Sequence, residues 1–102
     1  MKILLCCAAG MSTSIIVKKM QASAESQGKQ YMIKAVDQGK AEEDIKDCDV
    51  VLLGPQIRFS LPRFQELGKQ YNVPVEVINQ MHYGMCNGEA ILQHAESMVS
   101  KA

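Results

Sequence analysis

The residues with the clearest chemical potential stand near the start of the chain, where a cysteine precedes a run of small and hydroxyl-bearing residues. The run reads Cys7-Ala8-Ala9-Gly10-Met11-Ser12-Thr13-Ser14. Small residues and a glycine allow a tight loop in which several backbone N–H groups point at one spot. Serine and threonine are typical residues at a helix N-cap, and a helix N-terminus adds partial positive charge. The run therefore predicts an anion-binding loop that needs no Lys or Arg.

Cys7 stands at the start of this loop. A nearby helix N-terminus favours the thiolate over the thiol, so we expect Cys7 to be a nucleophile at neutral pH. If Cys7 attacks a phosphoryl group, the loop N–H groups can hold the oxygens of the product. The alternative interpretation is a strand cysteine followed by a Ser/Thr-capped helix with no chemical role.

Four short apolar runs predict the strands that position this loop. The first and third runs are almost continuously apolar, which is typical of central parallel strands buried on both faces. Lys34 interrupts the second run and Glu76 the fourth, which favours places nearer the sheet edges. The runs are Ile3–Cys7, Tyr31–Val36, Val50–Leu53 and Val75–Ile78.

Helical patterns lie between and after these runs. Apolar stripes at helical spacing predict three helices, and a brief acidic helix is expected between Gly39 and Asp47. The stripes are Ile16, Val17, Met20 and Ala24; Leu61, Phe64, Leu67 and Tyr71; and Ile91, Leu92, Ala95, Met98 and Val99. Alternating strands and helices predict an α/β fold with a parallel sheet, whose ligand site lies beyond the carboxyl ends of the strands.

The composition excludes several classes of protein. The chain has 102 residues, of which 47% are hydrophobic, and its 11 Lys plus Arg balance 11 Asp plus Glu. These values predict one globular domain, residues 1–102, rather than a disordered chain. Zero net charge argues against nucleic acid as a partner. With no apolar run near the ~20 residues of a membrane span and no signal peptide, we expect a cytoplasmic protein with reduced cysteines and no membrane insertion.

Two segments together resemble a known family. The run Leu5-Cys6-Cys7-Ala8-Ala9-Gly10-Met11-Ser12-Thr13-Ser14, followed by Val51-Leu52-Leu53-Gly54-Pro55-Gln56, is similar to the IIB component of the bacterial phosphoenolpyruvate-dependent sugar phosphotransferase system. The lactose/cellobiose family, which includes chitobiose and lichenan components, is the match. The resemblance extends over essentially the whole chain, including Pro74–Ile78 and Tyr83-Gly84.

This resemblance implies a fold and a function. The fold would be a three-layer domain with a four-stranded parallel sheet of order 2-1-3-4, like that of small tyrosine phosphatases. Cys7 would take a phosphoryl group from a phosphohistidine of a IIA partner and pass it to a disaccharide of the cellobiose, chitobiose or lactose type held by the membrane component IIC. Residues Ala8 to Ser14 would bind the phosphoryl oxygens, and no metal or cofactor is expected.

Two other functions are open alternatives. A small cysteine phosphatase or arsenate reductase would carry an arginine six positions after the cysteine to clamp the phosphate, and Thr13 occupies that position. A flavodoxin-like module could bind the phosphate of FMN in the same loop. Flavin sites favour aromatic walls, and the chain has no Trp and only 3 Tyr.

The remaining candidates lie after the third and fourth strands. Gln56 and Tyr83 are expected on the same rim as Cys7. Gln56 could contact the phosphoryl group or a partner, with a plain Gly-Pro turn as the alternative, and Tyr83 could be a rim or partner contact. His82 on that rim is expected to be a loop histidine rather than a general base, and Cys6 a buried hydrophobic residue. Met11, Ile57 and Phe59 could form an exposed apolar patch for docking, with core packing as the alternative for Ile57.

Overall fold

The computed structural model describes residues 1–7 and 14–100. All four predicted strands and all four predicted helices are present. The elements in chain order are β1 (Lys2–Cys7), α1 (Ser14–Ser26), β2 (Met32–Asp37), α2 (Ala41–Ile45), β3 (Val50–Leu53), a 3-10 helix (Pro55–Ser60), α3 (Leu61–Tyr71), β4 (Val75–Val77), α4 (Gln80–Gly84) and α5 (Gly88–Ser100).

The four strands form one parallel sheet in the order β2-β1-β3-β4. In the register between the two central strands, Ile3 pairs with Val50 and Cys6 with Leu53. All four residues of β3 are buried, whereas the edge strand β2 has one buried residue, Val36, among exposed and partly buried ones. Continuous apolar runs therefore form the centre of the sheet and interrupted runs its edges, which confirms the predicted order 2-1-3-4.

Alternation along β1 divides the core into two layers, because successive strand side chains point to opposite faces. Ile3 and Leu5 pack with apolar residues of α1 and α5. Leu4 and Cys6 pack on the other face with apolar residues of α2 and α3. The sheet is thus the middle of three layers, as predicted, and its carboxyl edge is left between the two helical layers.

The structure departs from the sequence prediction in α3. Tyr71, which belongs to the predicted apolar stripe, is exposed, and Gly68 is buried instead. The physical reason is the end of the helix: Asn72 adopts φ 58°, which reverses the chain, and the N–H of Val73 then donates to the carbonyl of Gly68 at 2.8 Å. The returning backbone covers Gly68, and Tyr71 lies on the outside of the turn.

Two short helical segments go beyond the predicted elements. They are the 3-10 helix after β3 and α4 after β4, both at the carboxyl edge of the sheet. Segments of five or six residues are too short to show a helical stripe. None of the helices within residues 1–7 and 14–100 has the length and apolar character needed to cross a membrane.

Candidate functional site

Cys7 is the last residue of β1 and lies at the carboxyl edge of the sheet, between β2 and β3. Its carbonyl accepts a hydrogen bond from the N–H of Gln38 at 3.0 Å, so the chain after β2 closes over the end of the strand. Only 1% of the Cys7 side chain is exposed. Strand alternation directs Cys7 away from Cys6 and toward the layer of α1 and α5.

The loop predicted to bind the anion lies outside the described residues, except for its ends. The predicted binding residues Ala8, Ala9, Gly10, Met11, Ser12 and Thr13 belong to this segment. Ser14 is exposed and begins α1, a helix of 13 residues. A helix that starts shortly after a central parallel strand presents its N-terminus at the carboxyl edge of the sheet, which is the arrangement the sequence predicts for anion binding.

Gly54, the residue after β3, brings Gln56 next to Cys7. The N–H of Gly54 donates to the carbonyl of Cys6 at 2.8 Å. A Cβ at Gly54 would lie 2.8 Å from Gln56 Oε1 and 3.7 Å from Cys7 Cβ. The Gln56 amide and the Cys7 side chain thus pack against the same glycine, and only a residue without a side chain leaves room for both.

The short helix α4 places Tyr83 on the same rim. Asn79 caps this helix, because its Oδ1 accepts hydrogen bonds from the N–H groups of Met81 at 2.9 Å and His82 at 3.1 Å. The N–H of Ile78 donates to the carbonyl of Leu53 at 2.8 Å, which ties the start of this segment to β3. Tyr83 is half-buried and packs against the core shared by α1 and α5.

A cleft of about 320 Å³ separates α4 from the 3-10 helix. It is lined by Pro55, Gln56, Arg58, Gln80, Tyr83 and Gly84. Both rim residues predicted from the sequence, Gln56 and Tyr83, therefore line one cleft, and Gln56 also packs on Gly54 together with Cys7. Sequence reasoning missed Arg58 and Gln80. Asn79 is a typical N-cap residue directly after an apolar strand, and this is the sequence signal that indicates α4. No sequence pattern indicates in which direction the Arg58 side chain points.

The other three cysteines differ from Cys7 in burial or in position along the fold. Cys6 is fully buried among α2 and α3, and burial, with a smaller effect of the nearby Cys48 thiol, raises its pKa to about 12. Cys48 precedes β3, at the opposite end of that strand, and its Sγ donates to the carbonyl of Asp44 at 3.1 Å. Burial also raises the pKa of Cys48. None of the four cysteines, all within the described residues, is in a disulfide bond, and Cys86 lies in the link between α4 and α5.

The two histidines form no metal site within the part of the chain that the structure describes. No group of three His, Cys, Asp or Glu residues there is placed to hold a metal ion. His94 Nε2 lies 2.9 Å from Glu76 Oε1, which joins α5 to the edge strand β4. His82 is half-buried in α4 rather than in a loop.

The apolar patch predicted around Met11 is corrected at Ile57. Ile57 is 1% exposed and packs in the core with α2 and α3, whereas Phe59 is 77% exposed. The reason is the 3-10 helix, which turns residue 57 inward and residue 59 outward. Met11 lies outside the described residues, so its part of the patch stays a prediction.

Comparisons with known proteins find relatives that match nearly the whole chain. The family described as "PTS system, Lactose/Cellobiose specific IIB subunit" matches residues 2–94. The chain is 47% identical over 98 residues to the "PTS system oligo-beta-mannoside-specific EIIB component" of Bacillus subtilis (strain 168), covering 96% of this chain and 95% of that one. It is 40% identical over 103 residues to the "PTS system cellobiose-specific EIIB component" of Lactococcus lactis subsp. lactis (strain IL1403), covering 96% of this chain and 95% of that one.

Two solved structures have the same fold. The solution structure of the cellobiose-specific phosphotransferase IIB component protein from Borrelia burgdorferi superposes with a TM-score of 0.82 at 40% identity, covering 99% of this chain and 93% of that one. The lactose-specific IIB component domain of the phosphoenolpyruvate:carbohydrate phosphotransferase system from Streptococcus pneumoniae gives a TM-score of 0.87 at 15% identity, covering 96% of both chains. The second likeness concerns the fold alone.

Proposed function

Because this chain belongs to the lactose/cellobiose-specific IIB family of the phosphotransferase system, whose IIB components are phosphotransferases, we propose that Cys7 carries a phosphoryl group between two partners. The donor is a phosphohistidine of a IIA protein. The acceptor is a hydroxyl of a disaccharide of the cellobiose, chitobiose or lactose type, held by the membrane component IIC. Residues 1–102 act as one IIB domain on the cytoplasmic face of the membrane.

The position of Cys7 is the observation that carries this proposal. Cys7 ends a central strand, lies against Gly54 beside the Gln56 amide, and is followed by a helix that begins at Ser14. Cys6 is a poorer candidate because it is buried in the opposite layer as a thiol with a pKa of about 12. Cys48 is at the wrong end of the sheet for a ligand site of this fold.

The chemistry consists of two displacements at phosphorus. In the first, the Cys7 sulfur forms an S–P bond while the N–P bond of the donor phosphohistidine breaks, and the imidazole leaves with the electron pair. In the second, a sugar hydroxyl oxygen forms an O–P bond while the S–P bond breaks. The thiolate is restored, and the hydroxyl proton leaves to a base or to solvent. Such transfers require mainly positioning and stabilisation of spread negative charge.

We assign that stabilisation to the loop and to Gln56. The backbone N–H groups of Ala8 to Ser14, with hydroxyl groups of Ser12, Thr13 or Ser14, bind the equatorial oxygens of the phosphoryl group. The Gln56 amide adds one donor from the β3 side, and its contact with the same glycine as Cys7 supports this role. Thr13 stands where a tyrosine phosphatase has its arginine, so the loop suits holding phosphocysteine rather than hydrolysing it.

Intact mass measurement tests the proposal. The protein is incubated with phosphoenolpyruvate, the general phosphotransferase proteins and a cognate IIA. We expect a mass gain of one phosphoryl group in the wild type and in Cys48→Ser, and none in Cys7→Ser. A wild type that gains no phosphate while IIA is phosphorylated contradicts the proposal. Rapid hydrolysis of an aryl phosphate would instead favour the phosphatase alternative.

A further inference from the structure

The relay at Cys7 gives a role to only one residue that lines the cleft between the 3-10 helix and α4, namely Gln56. Gln56 and Gln80 supply side-chain amides, Tyr83 a phenol and Arg58 a guanidinium. The residues that line this cleft, all within the described part of the chain, include no Asp or Glu. A concave surface with one cation, several hydrogen-bond donors and no carboxylate favours a negatively charged ligand.

A backbone contact orients the Arg58 guanidinium so that it can bind such a ligand. Its Nη1 donates to the carbonyl of Pro55 at 3.3 Å, which fixes one side of the guanidinium against the backbone of its own turn. The ion pairs among the described residues involve Lys29, Lys34, Lys69 and His94, and Arg58 is in none of them. A guanidinium carries five N–H donors, so most of them are left for a ligand.

The cleft also adjoins the phosphoryl-transfer position. Gln56 lines it, and the Oε1 atom of Gln56 packs on Gly54 together with Cys7. Arg58 follows Gln56 by two residues in the same 3-10 helix. An oxyanion bound by Arg58 would therefore stand at the entrance to the cysteine, on the side of β3.

We propose that this cleft is an oxyanion-recognition subsite, with Arg58 as its positioning residue, that orients the incoming partner for transfer to Cys7. The inference rests on the proposed function and extends it. The ligand is an oxyanion of the docking IIA protein: either the oxygens of its phosphoryl group or a carboxylate of an Asp or Glu at its surface. A charge at the rim of an interface acts mainly on the association rate and on its dependence on salt.

Initial transfer rates from phosphorylated IIA, measured at low IIA concentration, test the inference. Salt is varied from about 10 mM to about 1 M, over which the Debye length falls from about 30 Å to about 3 Å. At low salt we expect Arg58→Gln to slow transfer by about 5- to 10-fold, with a weaker salt dependence, as for a charge-assisted hydrogen bond that is partly desolvated on docking. Arg58→Lys keeps the charge but not the planar fork, so it should restore the salt dependence and only part of the rate.

Arg63→Gln is the matched control, because it removes the same charge from α3. The Arg63 guanidinium lies over the Phe64 ring, with Cζ 5.0 Å from the ring centroid, and does not line the cleft. Arg58→Gln and Arg63→Gln should unfold at the same urea concentration as the wild type. If Arg58→Gln and Arg63→Gln show the same rate and the same salt dependence, the inference is wrong.

Binding measurements distinguish the two sources of the oxyanion. In a Cys7→Ala background, where no transfer occurs, the affinity of IIA is measured in its phosphorylated and unphosphorylated forms. If Arg58→Gln weakens only the phosphorylated form, the ligand is the phosphoryl group. If it weakens both forms equally, the ligand is a carboxylate. If it weakens neither, the subsite does not exist.

Failure of this inference differs from failure of the proposed function. A wild type that never gains a phosphoryl group overturns the function itself. A wild type that is phosphorylated on Cys7, with Arg58→Gln behaving as the wild type does, overturns only the role of the cleft.

Discussion

Replacing Gly54 with alanine separates the chemistry at the carboxyl edge from the stability of the fold. The new methyl group would lie 2.8 Å from Gln56 Oε1, 3.5 Å from the carbonyl oxygen of Cys6 and 3.7 Å from Cys7 Cβ. The last two distances are ordinary van der Waals contacts. The first is too short, so the Gln56 side chain must leave its place beside Cys7. The displaced atom is the end of a flexible, exposed side chain, so the movement itself costs little.

The expected effect on stability is small. Gly54 has φ −63° and ψ 147°, an extended conformation that alanine readily adopts before proline. A Gly→Ala change at a compatible position stabilises a protein by about 0.4–1 kcal/mol through the unfolded chain. We therefore expect the free energy of unfolding of Gly54→Ala to stay within about 1 kcal/mol of the wild type.

The expected effect on phosphoryl transfer is larger. A hydrogen bond from the Gln56 amide to a charged phosphoryl oxygen is worth about 1.5–3 kcal/mol. Its loss from the transition state corresponds to transfer that is roughly 10- to 150-fold slower. The assay is the initial rate of phosphoryl gain from phosphorylated IIA, followed by intact mass, beside urea unfolding of the same samples.

Gly68→Ala is the matched control, since it introduces the same methyl group far from Cys7. There the methyl would lie 2.3 Å from the carbonyl oxygen of Val73, a backbone atom that cannot move aside easily. We expect this variant to lose about 2 kcal/mol or more of unfolding free energy and to accept phosphate at the wild-type rate while folded. Wild-type transfer in Gly54→Ala would refute the role of Gln56, and equal destabilisation of both variants would refute the steric argument.

Three further predictions concern the core and an ion pair. Ile57→Ala should lower the unfolding free energy measured in urea by about 2–5 kcal/mol because Ile57 is buried, whereas Phe59→Ala should stay within about 0.5 kcal/mol of the wild type. A larger loss in Phe59→Ala than in Ile57→Ala would contradict the inward turn of the 3-10 helix. Iodoacetamide at neutral pH should leave Cys6 unmodified, and its alkylation in the native protein would contradict its burial. Because it buries a hydroxyl group, Cys6→Ser should lose about 1–3 kcal/mol of unfolding free energy, and it should still accept phosphate. The hydrogen bond from Lys29 lowers the pKa of Glu96 below its usual 4.5, so the stabilisation by this ion pair is present at neutral pH and is lost as pH falls through the folded-state pKa. The difference in unfolding free energy between wild type and Glu96→Gln should therefore shrink on acidification. A difference that stays constant with pH would contradict this linkage.

The division into central and edge strands could be predicted because burial leaves a direct mark on the sequence, whereas the order 2-1-3-4 was implied by the family resemblance. Val50–Leu53 is apolar at every position and is buried at every position, whereas Lys34 and Glu76 interrupt the edge strands. A glycine just past an apolar stripe is typical of a helix C-terminus, and Gly28 has φ +73° two residues after α1. Each of these signals is local, so no knowledge of long-range contacts is needed.

The cleft could be predicted only in part, because its geometry depends on short segments that meet across the sheet. Gln56 and Tyr83 follow strands whose carboxyl ends share one edge, so topology alone places them on the same rim. The direction of Arg58 and Ile57 depends on the turns of a 3-10 helix, in which Ile57 itself has φ −117° and departs from helical geometry. No regular hydrophobic periodicity in the sequence indicates which of these side chains points inward.

Phosphorus NMR of the phosphorylated protein tests the central claim most directly, because sulfur-, nitrogen- and oxygen-linked phosphoryl groups resonate at different positions. After phosphorylation by a cognate IIA, we expect one sulfur-linked signal in the wild type. The signal should persist in Cys48→Ser and be absent in Cys7→Ser. A nitrogen-linked signal, or a sulfur-linked signal that survives in Cys7→Ser, would contradict the account.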